Sequence, residues 1–203
     1  MARLIRLYAS RTGTKANLEA LRIHGWRMMI SAAGVWRSEG FAYAIDNGAW
    51  SAYTRNVPWD PVPFRALIAM AAGDADFVVA PDIVMGGGAS LELTKMWLPW
   101  LDTRVRQTLI AVQDGMNPGE IEPLLGSGMW RGIFVGGSLT WKNESLPEWG
   151  RLARMKDCWL HVGRVNSLSR IQECIRYGAT SVDGSKASRY ATAIPSLSQA
   201  SEG

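Results

Sequence analysis

The chain has 203 residues, of which 47% are hydrophobic and 20% charged, values that suit one folded domain with a real core and exclude a disordered or low-complexity protein. Its net charge of +4 comes from scattered arginines rather than a basic block, so a polyanionic partner is permitted without being demanded. The only cysteines, Cys158 and Cys174, form no CxxC pair and lack a histidine pattern, which argues against a structural zinc site or a disulfide framework.

The N-terminal stretch MARLIRLYASRTG is basic, but its apolar run is too short and interrupted for a signal peptide. No run approaches the roughly 20 apolar residues of a membrane span, so a soluble, cytoplasmic protein without a membrane partner is expected. Short apolar runs bounded by turns predict a strand at 3–9, a helix at 14–24, and strands at 27–33 and 41–46 with no full helix between them. A helix at 60–72 precedes a strand at 77–82, and a helix at 89–104 precedes a strand at 108–113. A helix at 117–125 leads to a strand at 132–136. Strands at 159–163 and 179–183 flank a helix at 166–177, with Asn166 and Ser167 as capping residues and Gly178 as its stop.

Strands that are apolar throughout and alternate with helices imply a parallel sheet covered on both faces. Eight such runs predict an α/β fold, a compact TIM-like (β/α)8 barrel forming a single domain over residues 1–190. The segment 27–48 leaves an open sheet of seven strands as the alternative. The small, polar segment 191–203 is expected to be a flexible C-terminal tail.

Four of the apolar runs end in an acidic residue followed by a turn: FAYAI before Asp46, FVVAP before Asp82, TLIAVQ before Asp114 and TSV before Asp183. Asp-Gly and Asn-Gly are common turn dipeptides, yet a barrel would gather these strand ends on one face, where such folds build their sites. Gln113, Gly136, Gly137, Gly163 and Arg164 would join them. Paired carboxylates serve chemistry at an acetal-type carbon, one attacking or stabilising positive charge and another moving protons. Alternatively, Asp46, Asp82 and Asp114 could hold a divalent metal in a hydrolase. Asp114 also reads as a capping or hinge aspartate before Asn117-Pro118. His161 reads as a hydrogen-bonded core residue and His24 as structural. Trp50 and Trp141 are the tryptophans best placed to line a cleft, and Gly86-Gly87-Gly88 reads as a flexible loop without the follow-up of a nucleotide-binding loop.

The ordered series DNGAW (46–50), VAPDIV (79–84), VQDG (112–115), FVGGS (134–138), HVGRVNSL (161–168) and SVDGSKASRY (181–190) resembles the guanine transglycosylases. The likeness is greatest to the short, phage-type DNA-guanine transglycosylase-like proteins, and the longer tRNA-guanine transglycosylases are more distant. The resemblance implies a TIM-like barrel that replaces guanine in nucleic acid by a 7-deazaguanine base, with no metal or redox cofactor. It assigns Asp183 as the nucleophile at C1′ and Asp46 as the proton carrier. Asp82 and Gln113 would read the purine edge, and Gly136 and Gly137 would let the backbone approach its O6 region. Arg164, Lys186 and Arg189 are candidate phosphate contacts. The zinc-binding cluster of the tRNA enzymes has no counterpart here, which favours DNA as the partner over tRNA. A tRNA enzyme working with a separate binding subunit and a non-catalytic nucleic-acid-binding barrel are the remaining alternatives.

Overall fold

In the computed structural model, residues 4–10, 12–34, 36–126 and 131–201 are described. Eight parallel strands close into a barrel in chain order: β1 (Arg6–Ser10), β2 (Arg27–Ser31), β3 (Tyr43–Asp46), β4 (Val78–Val79), β5 (Thr108–Val112), β6 (Arg131–Val135), β7 (Leu160–Val162) and β8 (Ser181–Gly184). Closure comes from β8 pairing with β1, which sets Tyr8 opposite Asp183. The open-sheet alternative is thereby excluded. Arg3, in the first expected strand, lies outside the described residues.

The strands are apolar along their whole length because both faces are covered. Tyr8, Met29, Ala44, Phe77, Val79, Leu109 and Ala111 point into the barrel, with Phe134 and Trp159 beside them. The alternate residues, such as Ile30, Ile45, Ile110 and Val162, pack outward in the core shared with the helices.

The helices follow from local signals. α1 (Lys15–Ile23) is capped by Thr14, whose side chain accepts from the Asn17 amide. Among the described residues no helix joins β2 to β3, and the short α2 (Ala49–Thr54) follows β3 instead. α3 (Pro61–Ala71) has Asp60 as its cap and proline in its first turn. α4 (Gly87–Asp102) begins inside the triple glycine, so that segment is a helix start rather than a free loop. α5 (Pro118–Leu125) opens with a capping box between Asn117 and Glu120, so Asn117 takes the capping role considered for Asp114. α6 (Leu139–Met155), α7 (Leu168–Arg176) and α8 (Lys186–Arg189) complete the circuit.

Two expectations need correction. The strand expected over 77–82 pairs regularly only at Val78–Val79, because Pro81 has no N–H for the ladder and its carbonyl accepts from Thr94 Oγ1 at 2.8 Å. The C-terminal segment does not fray over residues 191–201. It forms α9 (Ile194–Ser198), which buries Ile194 and Leu197, and Trp26 Nε1 donates to Ser198 Oγ at 2.7 Å. Residues 202–203 lie outside the described residues. No helix among the described residues is long and apolar enough to cross a membrane.

Candidate active site

The C-terminal ends of the strands surround a cavity of about 630 Å³, within the size range of small-molecule sites. Asp46, Asp82, Gln113, Gly136, Gly137 and Asp183 all line it, and Arg164 and Arg189 stand at its edge. Lys186 is exposed and does not line it.

On the β3–β5 side, Asp46 ends its strand and Gly48, at φ 87°, turns the chain so that its amide donates to Asp46 Oδ2 at 3.1 Å. Burial raises the Asp46 pKa to about 7, and the charges of Asp82 and Asp183 add to the effect. Asp46 is therefore close enough to feel the other two carboxylates.

Asp82 is buried, and each of its oxygens has a partner. Asn47 Nδ2 donates to Oδ1 at 2.7 Å and Gln113 Nε2 to Oδ2 at 2.5 Å. Burial raises its pKa to about 6, and the two amides oppose that rise. Gln113 is itself held, its Oε1 accepting from the Met85 amide at 3.0 Å and the Gly137 amide at 2.9 Å. That leaves one Nε2 hydrogen of Gln113 for a ligand. A side chain at Gly136 would fall 2.6 Å from Gln113 Nε2, so glycine there keeps the amide in place.

On the β7–β8 side, Asp183 Oδ1 lies 2.9 Å from Nε2 of the fully buried His161. The His161 Nδ1 lies 2.7 Å from Ser181 Oγ. The ring stacks on Phe134, with centroids 5.0 Å apart and an interplanar angle of 12°. Gly184 is part of β8 rather than a turn residue, and a Cβ there would sit 2.0 Å from the Val165 carbonyl oxygen, which accounts for the glycine. Lys142, buried on α6, donates through Nζ to the Gly163 carbonyl at 2.5 Å and braces the end of β7. Burial and the neighbouring Arg164 lower its pKa to about 8.

Other expected residues stand in different roles. Neither glycine amide is free to meet a ligand: Gly136 N–H donates to the Val112 carbonyl and Gly137 N–H to Gln113. Asp114 accepts from the Ser138 amide at 2.7 Å and the Ser138 hydroxyl at 2.5 Å, so both its oxygens anchor the start of α6. Those bonds compete with the metal-ligand role considered for it, and among the described residues no group of three or more His, Cys, Asp or Glu is placed to hold a metal ion. Arg164, at φ 60°, turns inward, donates to the Gly137 carbonyl and lies 4.1 Å over the ring of Trp50. Trp50 lines the cavity as expected, whereas Trp141 packs on Trp149 behind the cavity-lining Gly137 and is not itself part of the lining.

Sequence reasoning missed Asn47 as an organiser of Asp82, and it missed the link from His161 to Asp183. The second was legible. Period-2 alternation puts Trp159, His161 and Gly163 on one face of β7, and Ser181 and Asp183 on the same face of β8.

No family model matches this chain, and no curated protein matches it. A solved structure described as "Structural study of Project ID from Aquifex aeolicus VF5" aligns over 98% of this chain and 95% of its own, at 10% identity and a TM-score of 0.58. At that identity the likeness concerns fold alone.

Proposed function

We propose that this barrel exchanges guanine in DNA for a 7-deazaguanine base through a covalent glycosyl intermediate on Asp183. The observation that carries the reading is the division of labour among the carboxylates around one cavity. Asp46, with a pKa near 7, has both protonation states populated at neutral pH, as a group that must give and then take a proton requires. Asp82, with a pKa near 6, is mostly ionised at neutral pH and keeps lone pairs for paired N–H donors such as those on guanine N1 and N2. The remaining Gln113 N–H suits the purine O6. Asp183 has one oxygen bonded to His161 and the other available for attack.

In the first step Asp183 forms a bond to C1′ as the C1′–N9 bond breaks. The electron pair leaves with guanine, which takes a proton from Asp46. In the second step the incoming 7-deazaguanine gives its N9 proton to Asp46, N9 attacks C1′, and the C1′–oxygen bond returns its pair to Asp183. Protons and charges balance over the cycle, and two displacements preserve the anomeric configuration. A paired base would have to leave the duplex to reach the cavity.

The test offers duplex DNA and tRNA together with isotopically labelled 7-deazaguanines, followed by digestion and mass spectrometry of the nucleosides. Label in DNA with release of free guanine is the expected result. Label in tRNA alone would replace DNA as the substrate, and label in neither polymer would sink the reading.

A further inference from the structure

We propose that His161 is the positioning residue of Asp183, held in one tautomer by a hydrogen-bond chain that starts at Trp159 and passes through Ser181. The proposal rests on the reading of Asp183 as nucleophile.

The chain has a direction fixed by chemistry. An indole N–H can only donate, and Trp159 Nε1 lies 2.7 Å from Ser181 Oγ. The serine oxygen therefore accepts from the indole, and its own hydrogen is left to meet the lone pair of His161 Nδ1, 2.7 Å away, which the acceptor-only Asp183 carboxylate at the other ring nitrogen requires. With Nδ1 accepting, the ring's proton sits on Nε2 and is donated to Asp183 Oδ1 at 2.9 Å. The opposite tautomer would point a nitrogen lone pair at a carboxylate. Burial lowers the His161 pKa, against the pull of Asp183, which keeps the ring neutral.

The aromatic surroundings leave the ring little freedom. Phe134 stacks on it, while Tyr8 and Phe77 pack against it with centroids 5.8 Å and 5.1 Å away. Trp159 is pinned in turn by Phe77 and by the Arg6 guanidinium, 4.6 Å from its ring centroid. The interior of the barrel thus fixes the plane of the Asp183 carboxylate from below.

The consequence is that Oδ2 is the attacking oxygen. A neutral donor on Oδ1 orients the carboxylate without cancelling its charge. While the glycosyl ester exists, Oδ1 is a carbonyl oxygen and the bond from Nε2 is weak. As the second displacement returns the charge to Asp183, that bond strengthens, so the contact favours the departing carboxylate more than the ester.

Two measurements test this. His161→Phe keeps the ring stack and removes the donor, whereas His161→Gln keeps an N–H that can reach Asp183. The expected result is a loss in kcat on the order of 10–100-fold for His161→Phe with KM little changed, and recovery of most of it in His161→Gln. Ser181→Ala, which frees the tautomer, should fall between them. Equal losses in the two His161 variants, or full kcat in a folded His161→Phe protein, would overturn the positioning role while leaving the proposed reaction standing. Wild-type protein that exchanges no base would sink the reaction and the role with it. Independently of activity, nitrogen NMR of the wild-type ring should report Nε2–H with Nδ1 accepting. An Nδ1–H tautomer overturns the chain whatever the kinetics.

Discussion

The two sides of the cavity carry the same functional group in opposite settings. On the β3–β5 side, Asp46 and Asp82 are crowded by burial, and Asp46 also by its neighbours' charges, so each binds its proton more tightly than an ordinary aspartate does. Their partners are neutral: the Gly48 amide and the Ser31 hydroxyl for Asp46, and the Asn47 and Gln113 amides for Asp82. On the β7–β8 side, Asp183, partly exposed as Asp46 is, bonds through one oxygen to a neutral imidazole. A side that holds protons suits proton transfer and base recognition, and a side that holds an oriented carboxylate suits attack. Residue type alone does not separate these jobs; environment does.

The largest effect should come from the β8 side. Asp183→Asn keeps the shape and an acceptor for His161 but removes the proposed nucleophile, so kcat should fall by at least about 1,000-fold. Mass spectrometry of denatured reaction mixtures should find a DNA adduct on wild-type protein and none on the variant. Free-base affinity, measured by calorimetry, should stay within a few-fold. An adduct that persists in the variant would move the nucleophile to another residue and dissolve the contrast between the two sides.

Asp82→Asn should show the reverse pattern. A site built to accept two N–H donors rejects a ligand strongly when one acceptor becomes a donor, so guanine affinity should drop roughly 100-fold or more. If Asp183→Asn and Asp82→Asn weaken base binding equally, the two sides share recognition.

The crowding on the β3–β5 side also sets a stability trend. The folded protein keeps protons on Asp46 and Asp82 that the unfolded chain releases near pH 4. These groups therefore favour the fold fully below that pH, and the advantage is lost as pH rises through about 6 for Asp82 and about 7 for Asp46. At about 1.4 kcal/mol per pKa unit, Asp46 accounts for a change of order 2–4 kcal/mol. Asp46→Asn should flatten the fall of urea midpoints between pH 4 and pH 8, with its largest stabilisation at pH 8. An unchanged slope would mean that neither burial nor the neighbouring charges raise the Asp46 pKa in the folded protein.

How much of this was legible depended on the physics behind each signal. The strands were readable because both faces are buried and their apolar runs are unbroken. α6 was missed because Pro147 interrupts it and its buried stripe includes Lys142, a residue that reads as exposed. α9 was missed because only Ile194 and Leu197 mark its buried face. The four aspartates were visible, yet their surroundings were not. Asp183-Gly184 reads as a turn dipeptide, whereas the glycine answers to a close approach of the Val165 carbonyl, a contact between distant segments. The Asp114–Ser138 link is likewise tertiary and leaves no mark on local sequence.

The smallest effect concerns the contact that bridges the two sides. Arg164 leaves the β7 end in a left-handed conformation disfavoured for a residue with a side chain. It reaches the Gly137 carbonyl and the face of Trp50, which belongs to the β3 side. One of its N–H groups is spent on that carbonyl and its face on the ring, which leaves fewer donors and less reach for a DNA phosphate. Trp50→Leu removes a cation–π contact worth about 0.5–1 kcal/mol at an exposed site and releases the arginine. Duplex DNA binding, followed by anisotropy, should then become more salt-dependent, the slope against log salt steepening by about one phosphate contact. Adding Arg164→Ala to that variant should return the slope to the wild-type value. If Trp50→Leu leaves the slope unchanged, Arg164 stays bound to Gly137 without the ring. The bridge would then be a fixed part of the wall, and phosphate contacts would fall to residues such as the exposed Arg189 at the cavity edge.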